Sequence, residues 1–329
     1  MKQIFYGFKA SPVIDGQIEN RLKISEELGL NYFFCELYLD EVDICNERIK
    51  EKIVKYPSAI GGKYSLHIPI VNHKDKFSDP SDLGWDYIDH LAEIATKLNN
   101  CFIILHRCWK FNAEIQWEDA EERFLDWIWQ VSKKYPELTF IIENFGFVFR
   151  KISGILNIYL SPLDHSFPQE IHRFKKQLMD RDITNVYPFL DVAHANLTLN
   201  LLKAWKLNRS EAIKYIHKSL HDKIDDKIFY LNQIEDNISG DLFPYFHIND
   251  SCSLPSNANP STWLDYFMSE GLIPGSGDIN WEILLTKIYK TYDNVTFIME
   301  TNMLNPSNAI EQKKGIDFIR EVMRSLNKE

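Results

Sequence analysis

Seven residues of this chain are of the types that bind metal ions or move protons, and six of them close short apolar runs. His67, His106, Glu143, Asp191, His247 and Glu300 end YSLHIP, CFIILHR, TFIIENF, VYPFLDVAH, YFHINDS and TFIMETN, and His194 follows Asp191 within the fourth of these. An imidazole or carboxylate at the end of a buried run is costly without a partner. Glu143, Asp191, His247 and Glu300 together offer three carboxylates and one imidazole, a donor set suited to a divalent metal: Mn, Zn, Co, Fe or Mg. Packed without a cation, three carboxylates repel and at least one is driven to take up a proton. Taken singly, each residue reads equally well as a salt-bridged strand-end group. Recurrence at the same place in four runs is what favours a shared ion. His67 and His106, with Glu143 as a bridge, are either ligands of a second metal or donors to substrate hydroxyls. His194 is expected on the loop above the site, polarising a substrate oxygen. In HINDS, Asn249 shares a face with His247 because side chains alternate along a strand. Asp250 there reads either as an acceptor orienting His247 or as a turn residue.

Positioning six strand ends at one point sets demands on the architecture. Eight strand-like runs are expected, at 3–10, 31–39, 64–69, 101–107, 139–145, 186–194, 245–251 and 296–302, alternating with eight helical regions. Tyr87, Ile88, Leu91, Ile94, Ala95 and Leu98 show the helical spacing well. The strand runs are continuously apolar, as in parallel strands covered on both faces. Eight such units predict an α/β fold, a closed (β/α)8 TIM barrel, formed as a single domain over 1–329. A doubly wound open sheet is disfavoured because no Gly-rich phosphate turn follows the first strand. Two long loops, 144–167 and 251–280, leave strand C-terminal ends, where barrels build their sites. The second carries Trp263, Tyr266, Phe267 and Met268, read either as an apolar lid or as packing over the barrel mouth, with glycines at 271, 275 and 277 permitting sharp turns.

The composition limits the partners. The net charge of −10 argues against a broad nucleic-acid surface. Five cysteines without CxxC spacing suit reduced thiols, hence a cytoplasmic location. MKQIFYGFKAS holds too short an apolar stretch to be expected as a signal peptide, and no run is long enough to span a bilayer. Oligomerisation is left open.

The motifs LHIP, ILHR, IIENFG, LDVAHA, FHINDS, GSGDINW and IMETN, in this order, resemble the xylose isomerase-like TIM barrels, over about residues 64–302. That superfamily includes sugar isomerases and epimerases, such as the ketose 3-epimerases, and the nuclease endonuclease IV. The resemblance implies a metal quartet of Glu143, Asp191, His247 and Glu300. It matches His67 and His106 to histidines of another zinc site in the nuclease, and His194 to a substrate-contacting histidine in the epimerases or a third-zinc ligand in the nuclease. Two departures stand out. No histidine lies beyond His247 to complete the nuclease's third zinc site, and the Arg that epimerases carry after the seventh-strand His is missing.

These readings give a divalent-metal-dependent isomerase or epimerase of a sugar or sugar-like polyhydroxy carbonyl compound, acting by proton transfer through an enediolate. Glu143 and Glu300 would exchange the proton and His194 would polarise the carbonyl. Trp109 or Trp263 either covers a sugar ring or packs in the core. A phosphorylated substrate would call on basic residues such as Arg107 and Arg150. The alternatives are an endonuclease IV-like metal-dependent phosphodiester hydrolase and a non-catalytic metal-binding barrel.

Overall fold

The computed structural model describes residues 2–39, 46–48, 50–51, 53–54, 62–68, 71–72, 76–77, 85–98, 101–106, 117–144, 148–152, 155–159, 168–214, 221, 224–225, 233–305 and 307–326. Eight strands form its centre: β1 (Gln3–Ala10), β2 (Phe34–Tyr38), β3 (Lys63–His67), β4 (Phe102–His106), β5 (Thr139–Glu143), β6 (Val186–Asp191), β7 (Tyr245–Ile248) and β8 (Asn294–Met299). All pair in parallel, each with its sequence neighbour, and β1 pairs with β8 to close the barrel. Helices lie between them: α1 (Gln17–Glu27), α2 (Trp85–Lys97), α3 (Trp117–Lys134), α4 (Pro168–Asp180), α5 (Val192–Leu207), α6 (Trp281–Thr291) and α7 (Ile310–Leu326). The expected (β/α)8 architecture is therefore observed. No helix among the described residues is long and apolar enough to cross a membrane.

The continuous apolar runs follow from the two cores the strands must serve. Outward residues such as Ile103, Ile142, Leu190 and Phe246 join the helix faces in one large cluster. The α2 face, Tyr87, Ile88, Leu91, Ile94, Ala95 and Leu98, is at most 3% exposed, which accounts for its helical spacing. Inward residues Phe34, Ile104, Ile141, Phe189, Tyr245 and Ile298 fill the barrel as a second cluster.

That inner cluster fixes the site. Two residues further along a strand the side chain returns to the same face. Stepping up from those six inward residues reaches Glu36, His106, Glu143, Asp191, His247 and Glu300. The other two strands follow suit, with Ser65 below His67 and Gly7 below Lys9. Gly7 has little choice: a Cβ there would come within 2.4 Å of Ile298 Cδ1 and 3.1 Å of Phe34 Cβ. Register confirms the shared face, since Lys9 pairs with Glu36, His106 with Glu143 and Asp191 with His247.

Two expectations need correction. The sixth strand ends at Asp191, and helix α5 begins immediately at Val192, so His194 lies in the first helical turn and not on a loop. The cause is local: Asp191 is the N-cap, and its carboxylate accepts from the His194 backbone N–H at 2.8 Å. The segment 144–167 contains an antiparallel hairpin, Val148–Ile152 with Ile155–Tyr159, where an unstructured loop was expected.

Candidate metal centre

At the C-terminal mouth, two groups of donor atoms converge, each within 4.8 Å of one another: His67, His106 and Glu143, and Glu143, Asp191, His247 and Glu300. In the first, His67 Nε2 lies 3.2 Å and His106 Nε2 3.3 Å from Glu143 Oε2, and the two imidazole nitrogens are 3.1 Å apart. A zinc ion with ligands at about 2.0–2.1 Å in a tetrahedron needs donor–donor edges of about 3.3 Å. The triangle fits that face. In the second, His247 Nδ1 lies 3.2 Å from Glu143 Oε1 and 3.6 Å from Asp191 Oδ2, and it also meets Glu300 Oε2. Glu143 thus directs one oxygen into each group.

The second group is held from behind. Asn144 clamps the Asp191 peptide, accepting from its N–H at 2.5 Å and donating to its carbonyl at 3.1 Å. Asn249 donates to Asp191 Oδ2 at 3.1 Å and accepts from the Ala193 N–H at 3.1 Å. Its place on His247's face is as expected, and its partner is the carboxylate. Asp250 does not orient His247. Its carboxylate accepts from the Ser251, Gly275 and Ile279 N–H groups and from Trp281 Nε1 at 2.8–3.3 Å, pinning the 272–281 loop. Four donors on one fully buried carboxylate predict that Asp250→Ala costs about 3–5 kcal/mol. Thermal unfolding checks this, and an unchanged midpoint would contradict it.

The neighbouring donors shift one another's titration in opposite directions. Burial alone would lower the His247 pKa, but Glu36 and Glu143 overcome it and raise it well above the usual imidazole value. His194 is likewise raised against its burial, by Asp191 and Glu270. His67 and His106 go the other way: burial lowers both, most strongly His106. Glu143 is held well below the usual carboxylate range, because His247 and His106 outweigh its burial. A cation replacing the His247 proton would meet an anionic, largely preformed donor set, so the residues fit the metal.

Three contributors escaped sequence reasoning. Lys9 pairs with Glu300 Oε1 at the open side of the site and lies 5.0 Å from the Tyr38 ring centre. Glu36 is fully buried beneath His247 and accepts from its Nε2 at 2.8 Å. Glu270, exposed at the mouth, lies 3.1 Å from His194 Nε2. His194 Nδ1 donates to the Asn144 carbonyl at 2.8 Å, so both ring nitrogens are engaged. Glu270 is delivered by the segment read either as a lid or as packing over the barrel mouth. Trp263 and Phe267 are at most 1% exposed and pack with Leu197, Leu201 and Trp205. Gly271 then turns the chain with φ +80°, where a Cβ would strike the Asn302 side chain at 2.5 Å. Trp263 is core packing. Trp109 and Arg107 lie outside the described residues, as does the side chain of Arg150.

The chain matches no protein-family model and no curated protein. Among solved structures it is similar to a D-tagatose 3-epimerase-like protein (14% identity, TM-score 0.55, covering 100% of this chain and 99% of that one). It is similar to a xylose isomerase domain protein from Alicyclobacillus acidocaldarius subsp. acidocaldarius (12%, TM-score 0.55, 98% of each chain). A third likeness is to the IolI protein with a bound zinc atom (12%, TM-score 0.52, 99% and 97%). The neighbours, the closed parallel barrel and the order of its elements agree: this chain has the fold of the xylose isomerase-like TIM barrels.

Proposed function

We propose that this protein is a divalent-metal-dependent isomerase or epimerase of a sugar or related polyhydroxy carbonyl compound. One observation carries the reading: donor atoms of Glu143, Asp191, His247 and Glu300, from four consecutive barrel strand ends, lie within 4.8 Å of one another. The likeness to an epimerase-like protein and to a zinc-bearing barrel supports it. When bound, the ion supplies Lewis acidity toward adjacent carbonyl and hydroxyl oxygens, which acidifies the neighbouring C–H.

The chain's own groups divide the remaining work. Glu300 is the open member of the quartet, with 18% of its side chain exposed against 1% or less for the other three, so it faces substrate and takes the proton. Lys9 holds its other oxygen. Glu143 returns a proton only if it frees one of its two engaged oxygens. His194 polarises a substrate oxygen once Nε2 parts from Glu270. Tyr38, exposed at the rim beside His67 and Lys9, offers an aromatic face to a sugar ring. Incubation of metal-loaded protein with a broad panel of ketoses and aldoses in deuterated water is expected to exchange one substrate C–H. No exchange across the panel, with metal bound, would overturn the proposal.

A second reading, phosphodiester hydrolysis by two metals, is favoured by the bridging of Glu143 between both donor groups. The net charge of −10 weighs against a nucleic-acid substrate. Elemental analysis separates the readings: one ion per chain favours the isomerase, two the hydrolase.

A further inference from the structure

Glu36 stands at the same inward level as the candidate ligands but belongs to neither donor group. It sits in β2, fully buried. Its Oε2 accepts from two donors, Tyr245 Oη at 2.7 Å and His247 Nε2 at 2.8 Å, and its Oε1 has no hydrogen-bond partner among the described residues. Ser65 Oγ adjoins Tyr245 Oη at 2.8 Å. The result is a file of polar groups running up the barrel axis from Ser65 through Tyr245 and Glu36 to His247. An ionised group is retained in a barrel interior only when its partners compensate it.

The partner that matters is the imidazole. His247 has two ring nitrogens, and only an unprotonated one can bind a cation. Glu36 accepts at Nε2, which places the neutral ring's proton there. The lone pair is left on Nδ1, the atom that faces Glu143, Asp191 and Glu300. Phe189, edge-on at 4.9 Å between ring centres, confines the ring on one side.

We propose that Glu36 is the positioning residue of the metal centre: it selects the tautomer of His247 that presents Nδ1 to the ion, and it increases the donor strength of that nitrogen. This inference rests on the metal reading of the quartet and adds to it a residue from a strand that supplies no ligand. A carboxylate behind a metal-bound histidine typically changes affinity by about 10–100-fold. Asn and Gln cannot reproduce its charge, and a carboxylate one methylene shorter cannot keep its reach from β2.

The test compares zinc and manganese binding by the wild-type protein and Glu36→Gln, by competition with a chelator of known affinity. Glu36→Gln is expected to weaken the quartet site about 10–100-fold. Any ion held by His67, His106 and Glu143 is expected to keep its affinity. Tyr245→Phe, which leaves the carboxylate in place, is expected to have a smaller effect. Folded Glu36→Gln that binds as tightly as wild type would overturn the inference while leaving the metal reading intact. Wild-type protein that binds neither ion would overturn both. A readout that needs no variant at Glu36 is the ¹⁵N spectrum of histidine-labelled, zinc-loaded wild type, with His247 assigned by difference from His247→Gln. A proton on Nε2 and none on Nδ1 supports the assignment, and the reverse tautomer refutes it.

Discussion

Replacing Glu143 by Gln is expected to abolish cation binding in both donor groups with one change. Each Glu143 oxygen belongs to a different group, Oε2 to His67 and His106, Oε1 to His247. No other described residue is shared between the two metal-capable clusters. Removing one negative charge within bonding reach of a dication forfeits at least about 4 kcal/mol, roughly a thousandfold in affinity. His106→Asn, by contrast, is expected to affect the first group alone. Stability supplies an independent measure. Binding at a hundredfold excess over Kd stabilises a native protein by about 2.7 kcal/mol. Wild type should therefore melt higher on addition of zinc or manganese, and Glu143→Gln should not respond. The variant keeps the side chain's volume but loses the pairing of Glu143 with His247 and His106, so without metal it should melt below wild type, and circular dichroism checks that it is folded before binding is measured. A full complement of metal in purified Glu143→Gln, measured by elemental analysis, would contradict the bridging role.

The same geometry explains what the sequence disclosed and what it concealed. His67, His106, Glu143, Asp191, His247 and Glu300 stood out because each interrupts an apolar run with an unmistakable ligand type. Lys9 and Glu36 obey the same rule, two residues above Gly7 and Phe34, and were legible in principle. They are harder to read because the lysine next to the end of QIFYGFKA resembles a surface residue, and FFCELYL buries its glutamate in mid-run. The period-2 step from the inner core is the signal that identifies them, and it requires knowing which alternate residues point inward. Glu270 had no such signal. It reaches His194 only because Trp263 and Phe267 anchor its segment on α5 and Gly271 redirects the chain, which is a tertiary outcome. His194 lies in a helix for a local reason: DVAH resembles a strand end, yet Asp191 is a helix cap and a candidate ligand together.

Glu300→Gln is expected to lower solvent-deuterium exchange by about 10²–10⁴-fold at saturating metal, the range for loss of a general base. The argument turns on access. Asp191, His247 and Glu143 are closed off, whereas Glu300, whose oxygens meet Lys9 and His247, is partly exposed at the mouth. Because Glu300 is also a candidate ligand, a fall in exchange could reflect lost metal alone. Saturation with the ion removes part of that ambiguity, and Lys9→Met removes the rest. Lys9 lies outside the quartet, so its loss should leave the metal complement at the wild-type value while still slowing exchange through the unsupported Glu300. Two results would then be diagnostic. If Lys9→Met slows exchange with its metal retained, the carboxylate acts on the substrate proton. If Glu300→Gln, fully loaded, exchanges at the wild-type rate, the proton is moved by another group and the assignment of the base to β8 fails.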